Sequence, residues 1–247
     1  MLKIGTYKYK LSRWQFDFED KLSVIQLMNL LLESAGNHAE ERGFGIDNLM
    51  AEDKSWVLLR ARIEFLSDYN EKKEIQIETW VDEIKGLFTT RRFNVLDSRG
   101  EVFCAVATTW AMINIKTRKM LHLTELLDEK FLFTEKEALT KAPEKINPID
   151  EKNEALSRVE ALYSSIDINN HVTTTRYIQW ILDSFSIDDL KENRIKIFEI
   201  NFQNEAKFRD TLEVHKQKIS DEIYIIELTK APEIQICRAR IRFEKKS

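Results

Sequence analysis

Glycine, proline and cysteine are scarce in this chain of 247 residues, which holds six, three and two of them. So few glycines leave no phosphate-cradling loop: neither a Gly-x-Gly-x-x-Gly dinucleotide fingerprint nor a P-loop occurs, and no Gly-x-Ser-x-Gly elbow marks a serine hydrolase. No cofactor is implied. Cys104 and Cys237 sit far apart in strand-like stretches, so they suggest buried, reduced thiols rather than a disulfide framework or a metal site. Histidine is equally sparse. His38 has no second histidine four residues away, His122 and His215 are isolated, and no metal is expected. No apolar run approaches the roughly 20 residues needed to cross a bilayer, so no membrane span is expected. The first ten residues lack the apolar core and cleavage site of an export signal and the Arg- and Ser-rich character of a transit peptide, which points to a cytoplasmic protein. Charge of one sign is not in excess. With 38 basic and 42 acidic residues the formal charge is -4, which gives no electrostatic footprint for nucleic acid and leaves any anionic partner to a local patch.

What is present suits a folded protein of two domains. Hydrophobic residues make up 43% and charged ones 32%, ordinary globular proportions. Residues 7–18 read as an opening strand, with Trp14, Phe16 and Phe18 on one face. Residues 22–42 then carry apolar side chains nearly all round, including Leu27, Met28 and Leu31, as a helix wrapped by other structure would. Gly43 and Gly45 end it. Strand patterns follow at 56–65, 74–81, 88–96 and 102–115, separated by turn signals such as Ser67-Asp-Tyr-Asn70 and Asp97-Ser-Arg-Gly100. In the first of these, Val57, Leu59, Ala61, Ile63 and Phe65 alternate onto one face. Pro143 and Pro148 lie in a Lys- and Glu-rich stretch taken as a linker, 126–152, between domains at 1–125 and 153–247. After it the order repeats: a strand near 156–162, a helix to about 185, and strands near 195–202, 212–218, 222–228 and 234–243. The expected fold class is α+β, each half an antiparallel sheet wrapped around a long central helix.

One stretch stands apart: Asp167-Ile-Asn-Asn-His171-Val-Thr-Thr-Thr-Arg-Tyr-Ile-Gln-Trp-Ile-Leu-Asp183. Asp167, Asn169 and His171 alternate, so in an extended segment they would share one side. Beyond them Val172, Thr175, Ile178, Ile181, Leu182 and Phe185 recur at helical spacing, which sets the polar cluster at a helix N-terminus, where free N–H groups and the helix dipole favour developing negative charge. A carboxylate, an amide and an imidazole there suit attack on a carbonyl. The blander reading is a helix entry in which Asp167 and Asn169 only cap backbone amides.

The stretch closely resembles the motif of acyl-acyl carrier protein thioesterases, which runs Asp-hydrophobic-Asn-x-His-Val-Asn-Asn-hydrophobic-x-Tyr-Ile. Thr173 and Thr174 stand where the family has two asparagines. The likeness continues through Leu27-Met-Asn-Leu30, Glu33-Ser-Ala35, Asn37-His-Ala-Glu40, Thr108-Thr-Trp110 and Lys116-Thr-Arg118, so nearly the whole chain is covered. It implies a tandem double hot-dog fold, with an acyl-chain pocket in the first domain and catalysis in the second. The implied reaction is hydrolysis of acyl-acyl carrier protein to free fatty acid, ending chain elongation in fatty acid biosynthesis. A bacterial source is expected. In Ile200-Asn-Phe-Gln-Asn-Glu205-Ala206, Glu205 matches a family glutamate while Ala206 replaces the cysteine of many plant members, which removes a cysteine nucleophile and favours attack by water.

The expected catalytic residues are thus Asp167, Asn169, His171 and Glu205, with Asp167→Asn and Glu205→Gln each lowering turnover by orders of magnitude. Which of Asp167, His171 and Glu205 is the base stays open. Leu27, Met28 and Leu31 are candidate acyl-chain liners and equally ordinary core positions. The resemblance implies an acidic carrier-protein partner, and Arg91, Arg92, Lys116, Arg118 and Lys119 are candidate docking groups, with Arg176 and Arg194 of the second domain equally open. Self-association as a homodimer stays open. Two other readings remain: the same chemistry on acyl-coenzyme A, and a non-hydrolytic acyl-binding module, which would not need the four catalytic residues together.

Overall fold

The computed structural model of the protein describes residues 3–69, 74–127, 132–150, 154–231 and 233–246. It divides into two compact units, 1–143 and 144–247. Asn70 of the first expected turn, and 128–131 and 151–152 of the expected linker, lie outside the described residues.

In the first unit, β1 (Gly5–Lys10) precedes α1 (Val24–Glu40) and α2 (Ile46–Ala51). Then come β2 (Lys54–Phe65), β3 (Glu74–Lys85), β4 (Phe88–Leu96), β5 (Val102–Asn114) and the short α3 (Leu123–Leu126). The strands pair antiparallel in the order β1-β3-β4-β5-β2. Helix α1 packs on β1 and β3 and buries Leu27, Met28 and Leu31 almost completely, each such side chain contributing about 1.5–3 kcal/mol. Its end follows from Gly43, whose φ of 78° lets Phe44 and Gly43 donate back to Ala39 and Glu40, closing the last turn.

The opening strand is shorter than the pattern suggests. Gln15 accepts from the Ser12 N–H at 2.7 Å, which closes a 3-10 turn over Arg13–Gln15. Trp14 and Phe18 are therefore 71% and 51% exposed in a loop instead of aligned on a strand face. Strand β2 departs in another way. Its register slips between Leu58 and Arg60, and a bulge exchanges the two faces there, so that Leu58 is buried in place of Val57 and Leu59, while Ala61 and Ile63 are buried as expected.

The second unit contains β6 (Ser157–Glu160), α4 (Thr174–Leu182), α5 (Ile187–Glu192), β7 (Asn193–Phe202), β8 (Thr211–Lys218), β9 (Ile223–Lys230) and β10 (Ile234–Lys245). The order is β7-β10-β9-β8-β6, again antiparallel. Helix α4 has nine residues against seventeen in α1. It stops before Phe185, whose ring packs edge-on against Tyr224 and Phe243; Ser186 then starts α5 with a capping box to Asp189. Residues 144–150, expected as linker, form a strap on this unit. Ile146 is fully buried, and the Asn201 side chain accepts its N–H at 2.8 Å.

Candidate active site

A tight loop precedes α4. Ile166 and Val172 form an antiparallel bridge, and Asn170 turns the chain at φ 63°, a left-handed conformation that asparagine tolerates. Oδ1 of Asp167 accepts the N–H groups of Asn169 at 2.8 Å and His171 at 3.2 Å, while the Asp167 N–H donates to the His171 carbonyl at 2.9 Å. The three polar residues therefore do not alternate along an extended segment. A turn replaces it, and the aspartate is directed onto its own backbone. Asn169 remains exposed, and Ile168 is 93% exposed beside it. Thr173 then caps α4, its Oγ1 accepting the Arg176 N–H at 3.3 Å, so a threonine serves at this helix start where the family carries asparagine.

Glu205 reaches this loop through its neighbour. The Val172 N–H donates to the Ala206 carbonyl, and the Ala206 N–H donates to the Tyr177 hydroxyl, both at 2.9 Å. Ala206 is wholly buried, so residue 206 is a packing position. With that neighbour held on both sides, the Glu205 carboxylate lies 3.4 Å from His171 Nε2, the two side chains being 38% and 23% exposed. Burial raises the Tyr177 pKa above its ordinary value, which keeps the hydroxyl protonated. Tyr177 was visible in the motif as a bare tyrosine, with no signal that it holds the backbone beside Glu205.

The first unit repeats the loop without the chemistry. Asp17 Oδ1 accepts from the N–H groups of Glu19 at 2.9 Å and Lys21 at 3.0 Å, Phe16 bridges Leu22, and Asp20 has φ 68°. The aspartate is thus a requirement of the turn in both units. What the second unit adds is Asn169 and His171 in place of Glu19 and Lys21, with Glu205 alongside. Asp17→Ala and Asp167→Ala are each expected to cost about 1–2 kcal/mol, the range for removing a side-chain acceptor from backbone N–H groups. Chemical denaturation checks this, and a difference of more than 2 kcal/mol between the two would separate the loops.

The first unit also holds a cavity of about 600 Å³. Its walls include Leu32, Ala35, Gly36, Phe44, Trp56 and Trp110. The expected liners Leu27, Met28 and Leu31 are not among them; they are packed in the core, Leu27 and Met28 about a turn before the wall residue Leu32 and Leu31 directly beside it in sequence. Nor do Arg91 and Arg92 belong to a docking patch. Arg91 is 9% exposed, inside the unit, and Arg92 is engaged by Asp82 and by the Thr140 carbonyl. The cover on both faces of β4 was the missing constraint, since such a strand buries successive residues. Lys116, Arg118 and Lys119 are exposed on the turn after β5, where Lys116 pairs with Asp53.

The sequence model of the acyl-ACP thioesterase N-terminal domain matches residues 4–130, and that of the C-terminal domain matches residues 148–245. The chain belongs to the acyl-ACP thioesterase family. A member of that family from Bacteroides thetaiotaomicron, known from a crystal structure, is 34% identical and superposes with a TM-score of 0.91 over 98% of each chain. The 12:0-ACP thioesterase from Umbellularia californica shares the fold at 16% identity, with a TM-score of 0.85 over 100% of this chain and 99% of that one. The family fold is the tandem hot-dog arrangement expected from the sequence. The chloroplastic oleoyl-acyl carrier protein thioesterase 2 of Arabidopsis thaliana is 26% identical in an alignment that covers 83% of this chain and 60% of the relative. The chain thus spans about 60% of the length of that plant relative.

Proposed function

We propose that this chain hydrolyses the thioester of an acyl group borne by acyl carrier protein, releasing a free fatty acid. The observation that carries the reading is the His171–Glu205 pair, 3.4 Å apart at the entry to α4; the counterpart loop in the first unit has Lys21 at the place of His171. Family membership supplies the substrate class.

Glu205 is the base. Its carboxylate takes a proton from water as the oxygen attacks the thioester carbon, and His171 orients that carboxylate and shares the proton. The side-chain amide of Asn169 and the first N–H groups of α4 bind the oxyanion of the tetrahedral intermediate. Collapse breaks the carbon–sulfur bond, the proton passes to the leaving thiolate, and the acid remains. Asp167 acts differently. With Oδ1 already accepting two backbone N–H groups, it is a positioning residue that holds Asn169 and His171 in place. Asp167→Asn keeps that acceptor, so its expected loss in kcat/KM is under tenfold, well short of the orders of magnitude suggested by the motif alone. Asp167→Ala, which loses the acceptor, falls further.

The acyl chain lies in the cavity of the first unit, where each methylene removed from water contributes about 0.8 kcal/mol. Lys116, Arg118 and Lys119 steer the acidic carrier protein. Reversing Lys116 and Lys119 to Glu is expected to raise KM for the carrier-borne substrate several-fold at low salt with kcat unchanged, and to flatten its salt dependence. An unaltered salt profile would remove the patch. The reading as a whole is tested by fatty-acid release from acyl chains of graded length on carrier protein and on coenzyme A. Release from carrier protein supports it; release from coenzyme A alone replaces the partner, and release from neither refutes hydrolysis.

A further inference from the structure

Arg91 is a buried cation beside a largely apolar cavity, and among the described residues no carboxylate hydrogen-bonds to it. Its Nη1 donates to His38 Nδ1 at 2.9 Å and to Thr79 Oγ1 at 3.2 Å. Both acceptors are uncharged, since an imidazole nitrogen that accepts carries no proton. A guanidinium has five N–H donors, and among the described residues only those on Nη1 are engaged. Burial, foremost, and then repulsion from Arg42 lower the Arg91 pKa to about 10, and no carboxylate figures among the charges acting on it. Glu33, Glu40 and Asp47 also border the cavity, but all three are exposed residues, and the Glu40 carboxylate is folded against Gly45. Leaving a desolvated charge without a counter-ion is costly. The cavity that Arg91 helps to line has apolar walls from Leu32, Ala35, Phe44, Trp56 and Val81, with Arg42, Asn37, Ser55 and Thr89 also on its surface.

We infer that this cavity binds a free alkyl carboxylate, with the carboxylate as the counter-ion of Arg91 and the chain along the apolar walls. A planar carboxylate accepts two parallel N–H bonds from a guanidinium, a match that a neutral head group lacks. The site itself needs no catalysis. Its consequence rests on the reading above: an alkyl carboxylate is the acid that thioester hydrolysis releases, so the product competes with the acyl chain of the next substrate for one cavity.

Calorimetric titration of the wild-type chain with decanoate and with decanol, each below its aggregation limit, tests the site. Decanoate is expected to bind at least tenfold more tightly, and Arg91→Met to abolish that preference while decanol still binds. Equal affinity of the two probes for the wild type, or a preference that survives in Arg91→Met, overturns the inference. Should Arg91→Met fail to fold, the wild-type pair of probes still decides. Location is read from Gly36→Leu, because a side chain at Gly36 grows into space with no atom within 4 Å. Both probes are expected to weaken tenfold or more in that variant, and unchanged decanoate binding places the site elsewhere and overturns the inference. No thioester is present in these titrations. A chain that hydrolyses nothing can pass them, and an active thioesterase can fail them, so the two readings fall separately.

Discussion

Replacing Glu205 by Gln lowers kcat by about 10²–10⁴-fold, the contribution of a positioned general base, and leaves the fold intact. The side chain is 38% exposed, and the local backbone is held by Ala206 through Val172 and Tyr177, so the amide enters at little structural cost. His171→Ala gives a loss of similar size. Because the two side chains act on one proton, Glu205→Gln combined with His171→Ala is no worse than the poorer single variant by more than a few-fold, as for residues that work as a unit. Steady-state kinetics on carrier-borne substrate, with a thermal melt of each variant, check these expectations. Glu205→Gln turning over at the wild-type rate would take Glu205 out of the chemistry and leave His171 as base. Fully additive losses would mean that the two residues serve separate steps.

The reaction centre was legible because three of its four residues fall within one short stretch. Asp167, Asn169 and His171 announce themselves in five positions, and the helix that follows has a clear apolar period. Their roles were not legible, because roles depend on where backbone N–H groups point. Only the folded loop, set beside its twin at Asp17, separates an aspartate that shapes the turn from a histidine and a glutamate left facing each other. The strands from 88 to 114 were readable from alternation and turn residues to within a residue. In β2 the bulge at Leu58 and Arg60 put Leu58 inside in place of Val57 and Leu59, since a one-residue slip exchanges inside for outside, while Ala61 and Ile63 kept the expected face. Short helices at Ile46–Ala51 and Ile187–Glu192 span too few residues to show a period. Arg91 was misjudged for another reason. A pair of adjacent arginines suggests a solvated basic patch, yet successive strand residues point to opposite faces, and with both faces of β4 covered neither arginine reaches open solvent.

Arg238→Met lowers the stability of the second unit by about 3–5 kcal/mol, the range for stranding one member of a buried ion pair. Arg238 and Glu227 stand opposite each other on β10 and β9, and their side chains are 9% and 1% exposed. The pair also ties down the strap. Arg238 Nη1 donates to the Ile146 carbonyl at 2.9 Å, and Glu227 Oε1 accepts the Ile149 N–H at 3.1 Å. Methionine fills most of the arginine volume but leaves the Glu227 carboxylate buried without its arginine partner and the Ile146 carbonyl without its donor. A fall in Tm on the order of 10 °C follows for a chain of this size. Replacing both partners, as Arg238→Met with Glu227→Leu, removes the stranded charge and recovers part of that loss. Recovery is incomplete, because the backbone groups of Ile146 and Ile149 still lose their side-chain partners, each worth about 1–3 kcal/mol when buried. A double variant as stable as the wild type would show that the strap is held by Ile146 and Ile149 packing with Ile225 and not by the charges beneath it. A double variant no better than Arg238→Met would assign the whole cost to the strap's hydrogen bonds.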